Sequence, residues 1–189
     1  SLTSMKHVGL NVASDSLMSQ TYIGVNGALV LVVCDDPGIH SSQNEQDTRI
    51  FGQLAMVPVL EPTDAQEALD FTKLAFDISE QFDTPVIVRS TTRLSHTRSL
   101  VNTGPRQDIA CKGFLEQPTK NVMIPGHARV RHGALLERER LLKGYLEDSE
   151  LNRWEEGSDE VGVITLSTAY TYVKEMMPEA SVLKLGVSY

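Results

Sequence analysis

Seven consecutive residues, Ala28 to Cys34, read "ALVLVVC", with no charged side chain among them. A strand with one wet face would carry a polar residue at every second position. This run does not, so both of its faces must be covered, as in a parallel sheet flanked by helices. It cannot be a bilayer span. The longest apolar stretch, Gly27 to Val33, falls far short of the roughly 20 residues a spanning helix needs.

The order of the neighbouring elements agrees with a parallel sheet. Pro37-Gly38 marks a turn. Ser42-Gln43-Asn44-Glu45 fits a capping box and predicts a helix from Ser42 to about Ala55. "MVPVL" then reads as a short strand. Thr63-Asp64-Ala65-Gln66 is a second capping-box match, opening a helix in which Ala68, Leu69, Leu74, Ala75 and Ile78 recur near the helical period. "TPVIVRS" is a third strand, and a helix is expected before the first one, over Ala13 to Ile23, beginning at about Ser14 or Asp15. Strand, helix, strand, helix, strand is the signature of an α/β fold.

From Arg98 to about Arg131 the chain turns rich in Pro, Gly and polar residues, which predicts a long irregular connection. Ala134 to Glu156 reads as a charged helix with Leu135, Leu136, Leu141, Leu142, Tyr145 and Leu146 as its apolar stripe. "VGVITL", "STAYTYVKEMM" and "SVLKLGV" then form one βαβ of a second α/β unit. The opening "SLTSMKH", its first residues like a cloning remnant, and the close on the strand-like "ASVLKLGVSY" read together as a piece of a longer chain.

Composition narrows the function. The 189 residues are 41% hydrophobic and 22% charged, with a net charge of -8. A globular protein without a basic patch is not expected to track phosphates, so no nucleic-acid partner is expected, and the short apolar runs argue against a membrane. Cys34 and Cys111 form no metal-spaced pair. Their scarcity fits a reducing cytoplasm.

Ligands of open α/β sheets bind in the loops past the carboxyl ends of the strands. There the sequence places "CDDPGIHSSQNEQD", Cys34 to Asp47. His40 can act as a donor, acid or base, and Ser41, Gln43 and Asn44 offer neutral hydrogen bonds. Ser42 and Glu45 are accounted for by capping alone. In "SMKHVGLNVASD", Lys6 and His7 could hold a carboxylate or a developing enolate-like charge, although a plain loop before a helix explains them as well. In "RSTTRLSHTR", Arg93 could clasp a carboxylate, with His96 a weaker candidate, or these residues could pair with the acidic surface. His127 and His132 lack partners at zinc spacing and are taken as structural or exposed. No G-x-S-x-G, Walker A or G-x-G-x-x-G motif occurs. Spacing alone therefore yields an α/β sheet with a polar edge and no named reaction.

Three motifs at these separations go further: M-K-H-x-G-x-N from Met5, D-D-P-G-x-H-S-S-Q-N-E-Q-D from Asp35, and T-T-R-x-S-H from Thr91. Together with "LEPTDAQEALDFTKLAFDISEQFDTPVIV" and "SVLKLGVSY" they resemble the alpha subunit of indolepyruvate ferredoxin oxidoreductase. The likeness is close over Thr3 to about Arg98, loose through the connection, and returns over Val161 to Tyr189. It implies a thiamine diphosphate enzyme that oxidatively decarboxylates 2-oxo acids, arylpyruvates above all, to acyl-CoA with ferredoxin as electron acceptor. It implies residues 1–98 as an N-terminally incomplete pyrimidine-binding domain, 99–158 as a linker with a charged helix, and 159–189 as the start of a transketolase C-terminal-like domain.

By match to the motifs, the expected catalytic residues are His7 and His40. Lys6, Ser41, Ser42 and Gln43 are expected at the cofactor, and Asn11 and Arg93 at the substrate. The activating glutamate and the diphosphate and Mg2+ site would lie outside this chain, and two cysteines cannot hold a [4Fe-4S] cluster. The resemblance thus implies a fragment that is inactive alone, binds thiamine diphosphate poorly and has an exposed sheet edge prone to self-association. Coenzyme A, a partner beta subunit and a homo-oligomer are implied for the whole enzyme. The alternatives are a non-catalytic α/β interaction module derived from a pyrimidine-type domain, and an unrelated α/β enzyme using His40 as a base.

Overall fold

The computed structural model describes residues 1–106 and 108–189. Gln107, inside the predicted irregular connection, lies outside the described residues. The apolar run becomes β2, Val30–Asp35, at the centre of a four-stranded sheet in the order β1-β2-β4-β3. Its neighbours are β1 (Leu2–Lys6) on one side and β4 (Val86–Thr91) on the other, with β3 (Val59–Leu60) beyond β4. Every pair is parallel: Val30 faces Leu2 and Val86, and Leu60 faces Val88. The α/β expectation is borne out.

Burial on both faces is visible residue by residue. Val30, Val86, Val88 and Leu60 point into one core, with Ala75 and Ile78 of α4 (Ala65–Phe82). Leu31, Val33, Ile87 and Val59 point into the other. That second core is closed by α1 (His7–Val12), α2 (Ser14–Ile23) and α3 (Thr48–Ala55) through Leu10, Leu17 and Ala55. The period of two along each strand splits these side chains between the cores. Close approach of α3 to β3 requires Gly52, where a Cβ would overlap the Val59 side chain.

Several expected boundaries are corrected. The Ser4–Asp15 stretch is not a loop before a helix: the chain runs through β1 into α1. β1 escaped notice because an edge strand with exposed Leu2, Thr3 and Ser4 has no apolar run. The helix predicted from Ser42 begins at Thr48, with Asp47 as N-cap accepting from the Arg49 amide. Ser42 and Glu45 do not form a box. The Ser42 hydroxyl donates to Asp36, and the Glu45 carboxylate accepts from the Gly38 amide. The box opening α4 is displaced by one residue from Thr63: Asp64 accepts from the Glu67 amide, and Glu67 accepts from the Thr63 amide.

The irregular stretch contains α6 (Pro118–Asn121), and the charged helix is α7, Pro125–Glu147, rather than Ala134 to Glu156. Proline at its first turn lacks only an N–H that would be unpaired anyway. His127 and His132 therefore stand on a helix. The stripe is narrower than expected: Leu135, Leu142 and Leu146 are buried, whereas Leu136 and Leu141 are 44% and 47% exposed. Leu142 and Leu146 enter the same core as α4, so α7 covers a face of the sheet. One turn before Leu142, buried Arg138 reaches the carbonyls of Asp83 and Thr21.

The second sheet has the order β5-β7-β6, with β6 (Ser158–Leu166) and β7 (Ala180–Leu185) parallel and joined by α8 (Ala169–Met176), as the βαβ reading requires. β5, Arg153–Glu155, adds an antiparallel strand. Past β7 the chain returns to the first sheet. Glu61 donates its amide to Gly186 O at 2.8 Å, and Ser188 donates to Val59 O at 3.1 Å. Residues 186–189 thereby cover the free side of β3, which leaves β1 as the strand with an open side in the first sheet.

Candidate functional site

β1, β2 and β4 all end at one rim, and the chain leaves each of them through a polar segment. β1 delivers Lys6 and His7, β2 delivers Asp35 and Asp36, and β4 delivers Thr91 and Thr92. The register places Lys6 beside Cys34 and Asp35 beside Thr91, so these ends are level.

Asp36 organises the rim. Its Oδ1 accepts from the His40 amide at 3.1 Å, from His40 Nδ1 at 3.1 Å and from Thr92 Oγ1 at 2.8 Å. Its Oδ2 accepts from the Ser41 amide and from Ser42 Oγ, both at 2.8 Å. Lys6 Nζ lies 3.9 Å from Oδ2 and donates to the Ser41 carbonyl and hydroxyl. The Ser41 amide first, then the Ser42 hydroxyl, hold the carboxyl well below the usual carboxylate range, against the opposing effect of burial, with Thr92 and the His40 amide adding to them. Gly38, at φ +88, makes the tight turn that brings residues 40–42 back over Asp36.

His7 is fully enclosed at 1% exposure. Its Nε2 donates to Asn44 O at 3.1 Å, since a carbonyl can only accept, and its Nδ1 is buried without a partner. The structure therefore ties Lys6 and His7 to the loop carrying His40, Ser41, Ser42 and Asn44. The His40 ring is 62% exposed, with its Nδ1 edge turned to Asp36. Gln43 is exposed on the same loop, and Asn11 is exposed on α1, one turn after His7.

Arg93 behaves differently. It stands on α5 (Thr92–Ser95), donates to Tyr172 OH of α8 at 2.6 Å and stacks over that ring at 5.4 Å. It thus links the rim to the second unit. His132 stacks on Tyr22, and His127 bonds the Val122 carbonyl, both far along the chain from the rim loops.

Beneath the rim lies a buried ionic network absent from the sequence reading. Arg89 donates from Nε to Asp35 Oδ2 at 2.6 Å and from Nη1 to Glu61 Oε2 at 2.8 Å. Asp35 also accepts from the Thr48 amide and hydroxyl, which seats the start of α3. Arg89, in the stretch left open between a site role and pairing with the acidic surface, meets acids inside. The signal was present: two carboxylates directly after an apolar strand must find donors, because buried charge is otherwise expelled.

The comparisons point to one family. No family model matches the chain. The indolepyruvate oxidoreductase subunit IorA of Methanothermobacter thermautotrophicus is 46% identical over 196 aligned residues, covering 100% of this chain and 32% of the relative. The subunit of the same name from Archaeoglobus fulgidus is 44% identical, covering 98% of this chain and 31% of the relative. That of Pyrococcus abyssi is 45% identical over the whole chain. The chain spans about a third of the length of the curated relatives it matches. Among solved structures it is similar to the 2-oxoglutarate:ferredoxin oxidoreductase of Magnetococcus marinus, with a TM-score of 0.66 and 15% identity, over 98% of this chain and 41% of that one. The latter likeness is one of fold. The resemblance read from the three motifs is borne out by the former.

Proposed function

We propose that this chain forms, within a longer protein, part of an indolepyruvate-type 2-oxo acid:ferredoxin oxidoreductase. Residues 1–98 would make up most of the pyrimidine-binding domain, with residues 99–158 as a connection whose helix α7 is packed onto it. Residues 159–189 would open the transketolase C-terminal-like domain. The observation that carries the proposal is the match to IorA at 43–46% identity over nearly the whole chain, a span within which all three rim motifs lie. No comparable support exists for the reading as a non-catalytic interaction module.

The donor set fits one side of a thiamine diphosphate site. A neutral heteroaromatic ring needs hydrogen-bonding groups and an enclosed wall. The rim offers the Ser41 and Ser42 hydroxyls, the Gln43 amide and buried His7, whose Nδ1 awaits a partner. Thiamine diphosphate, when bound, supplies the carbon nucleophile for the 2-oxo carbon and a sink for the electrons released on decarboxylation. The work of this chain is then positional and electrostatic. Lys6, with its side chain 41% exposed, presents a donor to an incoming carboxylate, His40 keeps one ring edge free, and Asn44 O fixes the His7 ring. His7 and His40 hold or move protons there, and Asn11 lies one turn from His7 on the open side of α1. Arg93 acts on substrate through the position of α8 rather than by direct contact.

The residues do not fit the other cofactors. Among the described residues no group of three or more His, Cys, Asp or Glu could hold a metal ion. Mg2+ and [4Fe-4S] clusters belong to other parts of the protein in this proposal. So do the contacts to coenzyme A, ferredoxin and a partner beta subunit, along with any homo-oligomer. No helix among the described residues is long and apolar enough to cross a membrane, which is compatible with the proposed cytoplasmic site of action.

The test is to express the native gene product anaerobically with its partner subunit, then follow cluster absorbance and arylpyruvate-dependent viologen reduction together. Coenzyme A-dependent reduction with indolepyruvate is the expected result. Intact clusters and bound thiamine diphosphate without turnover of any 2-oxo acid would remove the proposal.

A further inference from the structure

The three motif stretches arrive at the rim from three separate strands, and all three reach one carboxylate. Lys6 comes from the first, His40, Ser41 and Ser42 from the second, and Thr92 from the third. Asp36 is 3% exposed, so these donors are what keeps its charge tolerable. The arrangement is also divided by oxygen: His40 and Thr92 gather on Oδ1, and Ser41, Ser42 and Lys6 on Oδ2. A carboxylate can accept on both oxygens at once; an amide cannot.

We infer that Asp36 is a positioning residue for the reaction: it holds Lys6 and His40 at a fixed separation on the rim and shapes the 38–42 loop that presents Ser41 to the ligand. This rests on the function proposed above. Asp36 itself is turned inward and need not touch substrate. The two groups it holds are the exposed ones, with His40 at 62% and Lys6 at 41% side-chain exposure. Each is pinned at one edge and open at the other. An anionic substrate therefore meets two polar groups already oriented, without first having to collect them from flexible side chains.

The geometry makes the loop a consequence of Asp36 rather than of helix capping. Residues 42–45 satisfy the sequence rule for a helix start and yet do not form one, because the Ser42 hydroxyl and the Ser41 amide are taken by Asp36. Replacing Asp36 by Asn sets an NH2 group against either the Ser41–Ser42 donors or the His40–Thr92 donors. One half of the cluster must open, and whichever half opens, either Lys6 or His40 loses its anchor.

The experiment compares wild type, Asp36→Asn and Thr92→Val in the native gene product with its partner subunit. It measures kcat per intact active site, KM for the 2-oxo acid, and amide hydrogen exchange. For Asp36→Asn the expected result is a fall in kcat of about 10- to 100-fold, the size associated with misplacement by about 1 Å, with KM changed less than about threefold. Exchange of the His40 and Ser41 amides should rise at least tenfold while Val32, inside β2, stays protected. Thr92→Val, which leaves the charge in place and removes one donor, should give a smaller fall in the same direction. Unchanged kcat in both variants, or unchanged protection at His40 and Ser41, overturns the inference. So does a Thr92→Val enzyme with wild-type kcat beside an Asp36→Asn protein that has lost Val32 protection, since Asp36 would then serve folding alone. If the wild type turns over no 2-oxo acid, it is the functional reading that fails, and the exchange data still judge whether Asp36 builds the loop.

Discussion

Replacing Arg89 by Met should unfold the sheet more readily than any single surface change. Arg89 is 7% exposed and lies between Asp35 at 2% and Glu61 at 0%. One guanidinium thus serves two buried carboxylates, bonding Glu61 through Oε2, while Glu61 Oε1 is buried without a hydrogen-bond partner. Methionine fills most of the volume of the arginine stem, so packing is largely retained. What is lost is two charge-assisted hydrogen bonds, of 2.6 and 2.8 Å, and the cation that bonds both acids directly. Leaving a buried charge without its partner costs about 3–5 kcal/mol, at least about a fifth of the whole stability of a typical protein, which is about 5–15 kcal/mol. In a chain of this size that corresponds to a fall in Tm of roughly 6–20 °C. Urea unfolding should show the midpoint moving down with little change in slope. Adding Glu61→Gln to Arg89→Met should recover part of the loss, a non-additivity of about 1–3 kcal/mol between residues in direct contact. A loss below about 1 kcal/mol, or strict additivity in the double variant, would refute the reasoning. It would mean that water or rearrangement solvates Asp35 and Glu61 once the arginine is gone.

Three further outcomes are expected. His40→Ala in the full-length enzyme should lower 2-oxo acid-dependent viologen reduction at least tenfold, the scale of a positioned acid–base or charge-stabilising group, and unchanged kinetics would take His40 out of the site. Burial pushes the Glu155 carboxyl up, but hydrogen bonds from Tyr170, Lys174 and Arg153 outweigh it and bring it down to about 2, below its ordinary 4.5. Its folded value being depressed, Glu155 contributes stability that is present above pH 4.5 and lost as pH falls towards 2. Trp154, the single tryptophan and its neighbour on β5, should report this in fluorescence, with a flatter acid profile in Glu155→Gln. Gly52→Ala should cost about 1–3 kcal/mol through overpacking against Val59, measured by urea unfolding, and Val59→Ala should relieve it.

The sequence by itself determined the sheet. An apolar run with no polar alternation can only be a strand covered on both sides, and β2 is that strand, with Val30 and Val32 turned to one core and Leu31 and Val33 to the other. Local chemistry likewise revealed α2, α4, β4 and the β6-α8-β7 unit, because periodicity and caps act between near neighbours in the chain. The motifs were legible as strings, and they were enough to name a family.

Tertiary structure decided what those strings touch. The Ser42 capping box lost to Asp36, a carboxylate six residues away whose burial made its need for donors the stronger one. β1 became a strand only because β2 offered it a free edge. Helix α7, polar along most of its length, became a wall of the core through Leu135, Leu142 and Leu146 and the reach of Arg138 to two carbonyls distant in sequence. Arg93 was drawn to Tyr172 and Arg89 inward to two acids. In each case a charge or a backbone group was satisfied by a partner that no local pattern could specify, because only folding brings that partner within hydrogen-bonding distance.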